Sequence, residues 1–170
     1  MLELYVMRHA KSSWDNLQLP DHDRPLSDRG KRNAKKICEF FVKKQIKFDL
    51  VLVSSSIRTK KTLKILQKKL EKPKKIITSK SLYLADENKI ALKIKKIKKD
   101  YKKVLLINHE PAVTNLVNYL VKNKENSLFK LMNYKFPTAA FAKIVFDLDN
   151  WSKINDRTGL LKNFIRPKDI

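Results

Sequence analysis

Short apolar runs and amphipathic segments take turns along the first two thirds of the chain, an order that few architectures satisfy. Residues 2–7, 49–53, 75–78 and 103–107 are rich in Val, Ile, Leu and Tyr, the composition of strands. Between them, residues 27–44 place Ala34, Ile37, Cys38, Phe41 and Val42 on one face of a helix, with Ser27 as its amino-terminal cap. Residues 57–70 repeat the stripe with Leu63, Leu66 and Leu70, and residues 86–99 with Ile90, Ile94 and Ile97. Pro111 suits the first turn of a further helix reaching about residue 121. Strand, helix and strand in succession demand crossovers, so a mainly parallel sheet with helices on both faces is expected. Residues 49–53 agree, being nearly all apolar, as a strand without a solvent face must be. Residues 125–135 read as a short helix and turn, 140–146 as a fifth strand and 160–165 as an edge strand. The expectation is α/β, a three-layer sandwich formed by a single domain over residues 1–170.

Sheets of this kind bind ligands beyond the carboxyl ends of their strands, and there the polar chemistry of this sequence is concentrated. The first strand runs into Arg8-His9-Ala10, the second into Ser54-Ser55-Ser56-Ile57-Arg58, and the fourth into Asn108-His109-Glu110-Pro111. Two of the three histidines therefore follow strands directly. Taken alone, Arg8 and His9 read equally well as a salt-bridged arginine and a surface histidine. As a set, Arg8, Arg58, His9 and His109 suit a phosphoryl group, whose transfer needs positioning and fixed positive charge more than covalent help. Arginine offers a planar fork of donors that stays ionised at neutral pH. A neutral imidazole can attack phosphorus and carry the group covalently until water removes it. With only Gly30 and Gly159, the chain has neither a glycine-rich phosphate loop nor a dinucleotide fingerprint, which leaves side chains and helix amino termini to hold phosphate. Ser54, Ser55 and Ser56 lack a nucleophile-elbow pattern and read as turn and cap. Cys38, the one cysteine, sits mid-helix as a small buried hydrophobe, which argues against a cysteine phosphatase and rules out an internal disulfide.

These strand ends, with Asp21-His22-Asp23-Arg24-Pro25-Leu26-Ser27-Asp28-Arg29-Gly30 and the tail Phe164-Ile165-Arg166-Pro167-Lys168-Asp169, resemble in register the motifs of the histidine phosphatase superfamily, within it the SixA-type phosphohistidine phosphatases. The resemblance spans nearly the whole chain. It implies a minimal phosphoglycerate mutase-like fold and a phosphatase needing neither metal nor cofactor. It also selects His9 over His109 as nucleophile, with Arg8 and Arg58 clamping the phosphoryl group and His109 donating to it. Arg24 and Ser55 are expected to contact substrate, although an ion pair of Arg24 with Asp15, Asp21 or Asp23 reads as well. His22 is expected to be an exposed loop residue. Two departures stand out. Ala10 replaces the usual glycine, which would make a positive φ there costly. The glutamate that serves many ester-cleaving members as general acid has no clear counterpart, since Asp86 and Glu87 are near in sequence but also read as the cap and first turn of a helix. Without such an acid, a phosphohistidine-bearing protein is favoured over a small phosphorylated substrate. A phosphatase of small phosphomonoesters is the alternative on the same fold, and a mutase is disfavoured because no segment is free to retain an intermediate.

The formal net charge of +22 raises a rival of another class, a basic nucleic-acid-binding module. Of the 39 basic residues 32 are lysines and seven arginines, with lysines scattered over most of the helical segments, a distribution that fits biased composition better than a nucleic-acid motif. Attraction of anionic substrates is the favoured consequence. No apolar run approaches membrane-spanning length and no leader is visible, so the sequence reads as cytoplasmic with no membrane association.

Overall fold

β1 (Leu2–Arg8) lies near the middle of a six-stranded sheet in the computed structural model, which describes residues 1–170. The chain continues through α1 (Asp28–Lys43), β2 (Leu50–Ser54), α2 (Ile57–Leu66), β3 (Lys75–Ser79), α3 (Glu87–Lys95) and β4 (Lys103–Asn108). It ends with α4 (Ala112–Leu120), α5 (Ser127–Tyr134), β5 (Phe141–Phe146) and β6 (Gly159–Ile165). Strand order is β3-β2-β4-β1-β5-β6. The first four strands in sequence are mutually parallel, while β5 and β6 add an antiparallel edge.

The period of two along β1 sorts its side chains between two cores. Leu2, Leu4 and Val6 pack with α3, α4 and α5 around the fully buried Trp151, whereas Tyr5 and Met7 pack with α1 and α2. The helices therefore form layers on both faces, as expected for a phosphoglycerate mutase-like α/β fold. No helix is long and apolar enough to cross a membrane.

Two helices are shorter than their stripes predict. α2 stops at Leu66, not residue 70, and α3 at Lys95, not residue 99. In both cases the next residues tighten into i→i−3 bonds, Lys68 to Ile65 after α2 and Ile97 to Ile94 after α3, as fraying last turns do. Leu70 and Ile97 still turn toward the core from these tightened segments.

The loop between β1 and α1 is pinned at its base. Ser27 caps α1 by accepting from the Gly30 amide, its own amide donates to the Lys11 carbonyl at 2.9 Å, and Ser12 bridges to Leu26. Gly30 is required by close approach, because a Cβ there would lie 2.2 Å from the Lys11 carbonyl oxygen.

Candidate active site

The parallel register pairs Arg8 with Asn108, so the two strand ends carrying His9 and His109 emerge side by side, with ring centroids 5.1 Å apart. The Ala139 amide, from a residue at φ 63°, reaches the carbonyls of both Arg8 and His9 and straps the end of β1. Arg8 donates to the Phe136 carbonyl at 2.8 Å. α2 is tied to the same strand end through Thr62, whose hydroxyl accepts from the Ala10 amide at 3.0 Å and donates to the Arg58 carbonyl at 2.7 Å. Ser56 caps α2, accepting from the Thr59 amide. Arg58, one residue into that helix, then reaches both imidazoles: its Nε donates to His9 Nε2 at 3.3 Å and its NH2 to His109 Nδ1 at 3.2 Å. His9 Nδ1 lies 2.6 Å from the Ala10 carbonyl, and His109 Nε2 lies 2.8 Å from Ser54 Oγ. The structure thus gathers Arg8, His9, Arg58 and His109 from three strand ends.

Burial and cations keep both imidazoles neutral. Burial is the main cause of a His9 pKa lowered to about 3; the Ala10 carbonyl opposes it, and the charges of His109, Arg58 and Arg8 reinforce it. His109 is lowered to about 4, by burial first and then by Arg58. Burial also lowers Arg8 from its usual value.

Around this centre lies a second ring of side chains. Asp21, in a 3-10 turn of the β1–α1 loop, directs Oδ1 to Arg24 and accepts at Oδ2 from Arg58 NH2 at 3.0 Å and from the Tyr83 hydroxyl at 2.6 Å. Burial would raise the Asp21 carboxyl, but the bonds from Tyr83, Arg58 and Arg24 outweigh it and hold the acid at about 2. Arg24 is buried and stacks its guanidinium 3.5 Å from the ring centroid of Trp14. Arg24 forms one of the ion pairs expected of it, with Asp21, which in turn bonds to Arg58. The Nε and NH1 of Arg24 and the Nε of Arg8 are buried donors without an acceptor.

His22 corrects the expectation of an exposed residue. It is half-buried, its Nε2 lies 2.9 Å from Ser55 Oγ, and its ring packs edge-on against Tyr83. Ser55, read as a substrate contact, is buried and engaged with His22. Ala10 is fully buried and does not adopt a positive φ, so the cost such a conformation would carry for alanine does not arise. Asp86 caps α3 by accepting from the Lys89 amide at 2.9 Å, and Glu87 accepts from Asn115 at 3.4 Å. Both line a cavity of about 240 Å³ that also contains His109, yet neither bonds to the central four residues. Glu110 is occupied by the amide and hydroxyl of Thr114. Sequence reading missed Asp21 and Tyr83 as site members. Their signal was positional: Asp21 opens the segment ending in Arg24, and Tyr83 lies in the connection after β3, where the missing acid was sought.

An α/β fold with two arginines and two neutral imidazoles at the carboxyl edge of its sheet is that of a phosphatase. The chain belongs to the histidine phosphatase superfamily (branch 1), whose family model matches residues 4–83. An uncharacterized protein of Mycobacterium leprae is 30% identical over 140 residues, covering 80% of this chain and 84% of its own. An uncharacterized chloroplastic protein of Arabidopsis thaliana is 43% identical over 68 residues, which are 40% of this chain and 31% of that protein. Among solved structures, a candidate phosphohistidine phosphatase SixA from Nakamurella multipartitia superposes with a TM-score of 0.84 at 21% identity, over 98% of this chain and 96% of the other. The protein histidine phosphatase SixA complexed with tungstate gives 0.81 at 21% identity, over 99% of each chain. A phosphoserine phosphatase from Entamoeba histolytica, in complex with 3-phosphoglyceric acid, gives 0.64 at 14% identity, over 96% of each.

Proposed function

We propose that this phosphatase removes the phosphoryl group from protein phosphohistidine through a covalent intermediate on His9. The Nε2 lone pair of His9 attacks phosphorus, the substrate N–P bond breaks, and the departing imidazole leaves with a proton on its nitrogen. Water then attacks the phosphorus on Nε2, the second N–P bond breaks, and inorganic phosphate leaves a neutral His9. Arg8 and Arg58 hold the equatorial oxygens, and the unpaired donors of Arg24 and Arg8 support the same assignment. His109 acquires its proton when the phosphoryl dianion enters, since a neighbouring anion raises an imidazole pKa, and it then donates to a phosphate oxygen. Ser55 acts through His22, keeping the wall of the site in place.

The employment of the nearby carboxylates carries the substrate assignment. Asp86 caps a helix, Glu87 accepts from Asn115, Glu110 holds Thr114, and Asp21 stays ionised, so none of the four bonds to either imidazole as a positioned acid for an alkoxide. A positioned acid contributes roughly a hundred- to ten-thousand-fold, which an ester substrate would forgo. A protonated imidazole leaves without that help. The closer fold likeness to the SixA proteins than to the phosphoserine phosphatase supports the same reading. The test compares kcat/KM on a phosphohistidine peptide and on an alkyl phosphate, in the native chain and in Asp86→Asn with Glu87→Gln. The phosphohistidine substrate should be preferred and its turnover little changed in the double variant. Preference for the alkyl ester, lost in that variant, would refute the assignment.

A further inference from the structure

Asp21 stands among donors suited to a phosphoryl group. Its two carboxylate oxygens collect Arg24, Arg58 NH2 and the Tyr83 hydroxyl, and its main-chain carbonyl takes Arg58 NH1 at 2.6 Å. Of the Arg58 donors, Nε alone is turned to His9. Any anion entering beside His9 must therefore compete with Asp21 for Arg58. A phosphoryl group is equipped to win, with three oxygens and up to two charges against two oxygens and one. Asp21 is also suited to leave, because its side chain is 47% exposed and it rides on a loop secured at the base.

When Asp21 withdraws, the Tyr83 hydroxyl loses its acceptor at the position the phosphoryl oxygens take up. The ring is also held outside the Asp21 turn, packed edge-on against His109 with centroids 5.6 Å apart, and it packs against His22 of that turn at 4.8 Å. Leu84, the next residue, has φ 58° and is itself 82% exposed. We propose that Tyr83 is a further phosphoryl-binding residue, its hydroxyl kept engaged by Asp21, which occupies the site as an intramolecular surrogate until a phosphoryl group displaces it.

This inference rests on the reading of the site as phosphoryl-binding, and the test separates the two. Affinity for orthovanadate and for inorganic phosphate is measured by calorimetry in the native chain, Asp21→Asn, Tyr83→Phe and the double variant. Asp21→Asn should bind both anions about tenfold more tightly, because the competitor has lost its charge. Adding Tyr83→Phe to Asp21→Asn should weaken binding by about tenfold, the worth of one hydrogen bond to a charged group. The phenylalanine keeps the ring packing, so the change reads the hydroxyl. If the double variant binds as tightly as Asp21→Asn, Tyr83 merely anchors Asp21 and the inference fails. Weaker binding by Asp21→Asn than by the native chain would overturn the surrogate role. Failure of the native chain to bind either anion would overturn the phosphoryl-site reading itself.

Discussion

Because the Ala10 carbonyl can only accept, His9 carries its proton on Nδ1, and its Nε2 lone pair faces Arg58. That tautomer is the one a phosphorus nucleophile needs. His9→Ala should abolish acid-labile phosphate on the enzyme and lower turnover by at least about a thousandfold, read by quenched labelling with a phosphohistidine substrate. The depressed pKa values set the acid limb. With His9 at about 3, kcat/KM should not lose its nucleophile between neutrality and about pH 4 and should fall as pH passes below about 3, whereas an ordinary imidazole would already fail near 6.5. Stability follows the same sign. The unfolded chain binds protons at these histidines first, so their contribution is present above pH 6.5 and is lost as pH falls through 4 and 3, measurable by urea unfolding across that range.

At the scale of elements, the geometry of the proposed site depends on how α2 is fastened to β1. Thr62 is the fastener, and Thr62→Val leaves the buried Ala10 amide without an acceptor, a loss of about 1–3 kcal/mol. The same change frees the first turn of α2, so kcat/KM should fall together with the unfolding free energy. Gly30 plays the corresponding part between α1 and the β1–α1 loop. Gly30→Ala drives a methyl group into the Lys11 carbonyl and should destabilise the fold by about 1–3 kcal/mol in thermal or urea unfolding. Loosening that base would also loosen the Asp21 turn it supports.

For the molecule as a whole, the charge of +22 shapes encounter more than chemistry. Lysines spread over all faces attract an acidic protein from a distance, and salt shortens that reach from about 10 Å at 0.1 M to about 3 Å at 1 M. Turnover of an acidic phosphohistidine protein at low substrate concentration should therefore fall about tenfold between low and high salt, while a small neutral-bodied phosphoramidate changes little. Binding to random duplex and single-stranded oligonucleotides in the same titration tests the nucleic-acid alternative. Tight association at physiological salt, with no phosphatase activity, would favour that alternative.

The sequence by itself determined the alternation of strands and helices, the two-sided burial of the sheet and the strand ends bearing Arg8, His9, Arg58 and His109. These are local properties, carried by periodicity and by which residue follows which strand. Family likeness added which histidine to regard as nucleophile. Helix ends at Leu66 and Lys95 escaped it, because apolar stripes continue through turns that are no longer helical. Asp21 and Tyr83 escaped it for a different reason. They are 62 positions apart, and nothing in either neighbourhood specifies the other. Only the packing of β2 between β3 and β4 brings the connection after β3 over His109, where a phenol, a carboxylate and two guanidinium groups meet. Tertiary structure likewise decided the protonation of the imidazoles, since burial and the nearness of Arg58 arise from the assembled fold and from no single segment of the chain.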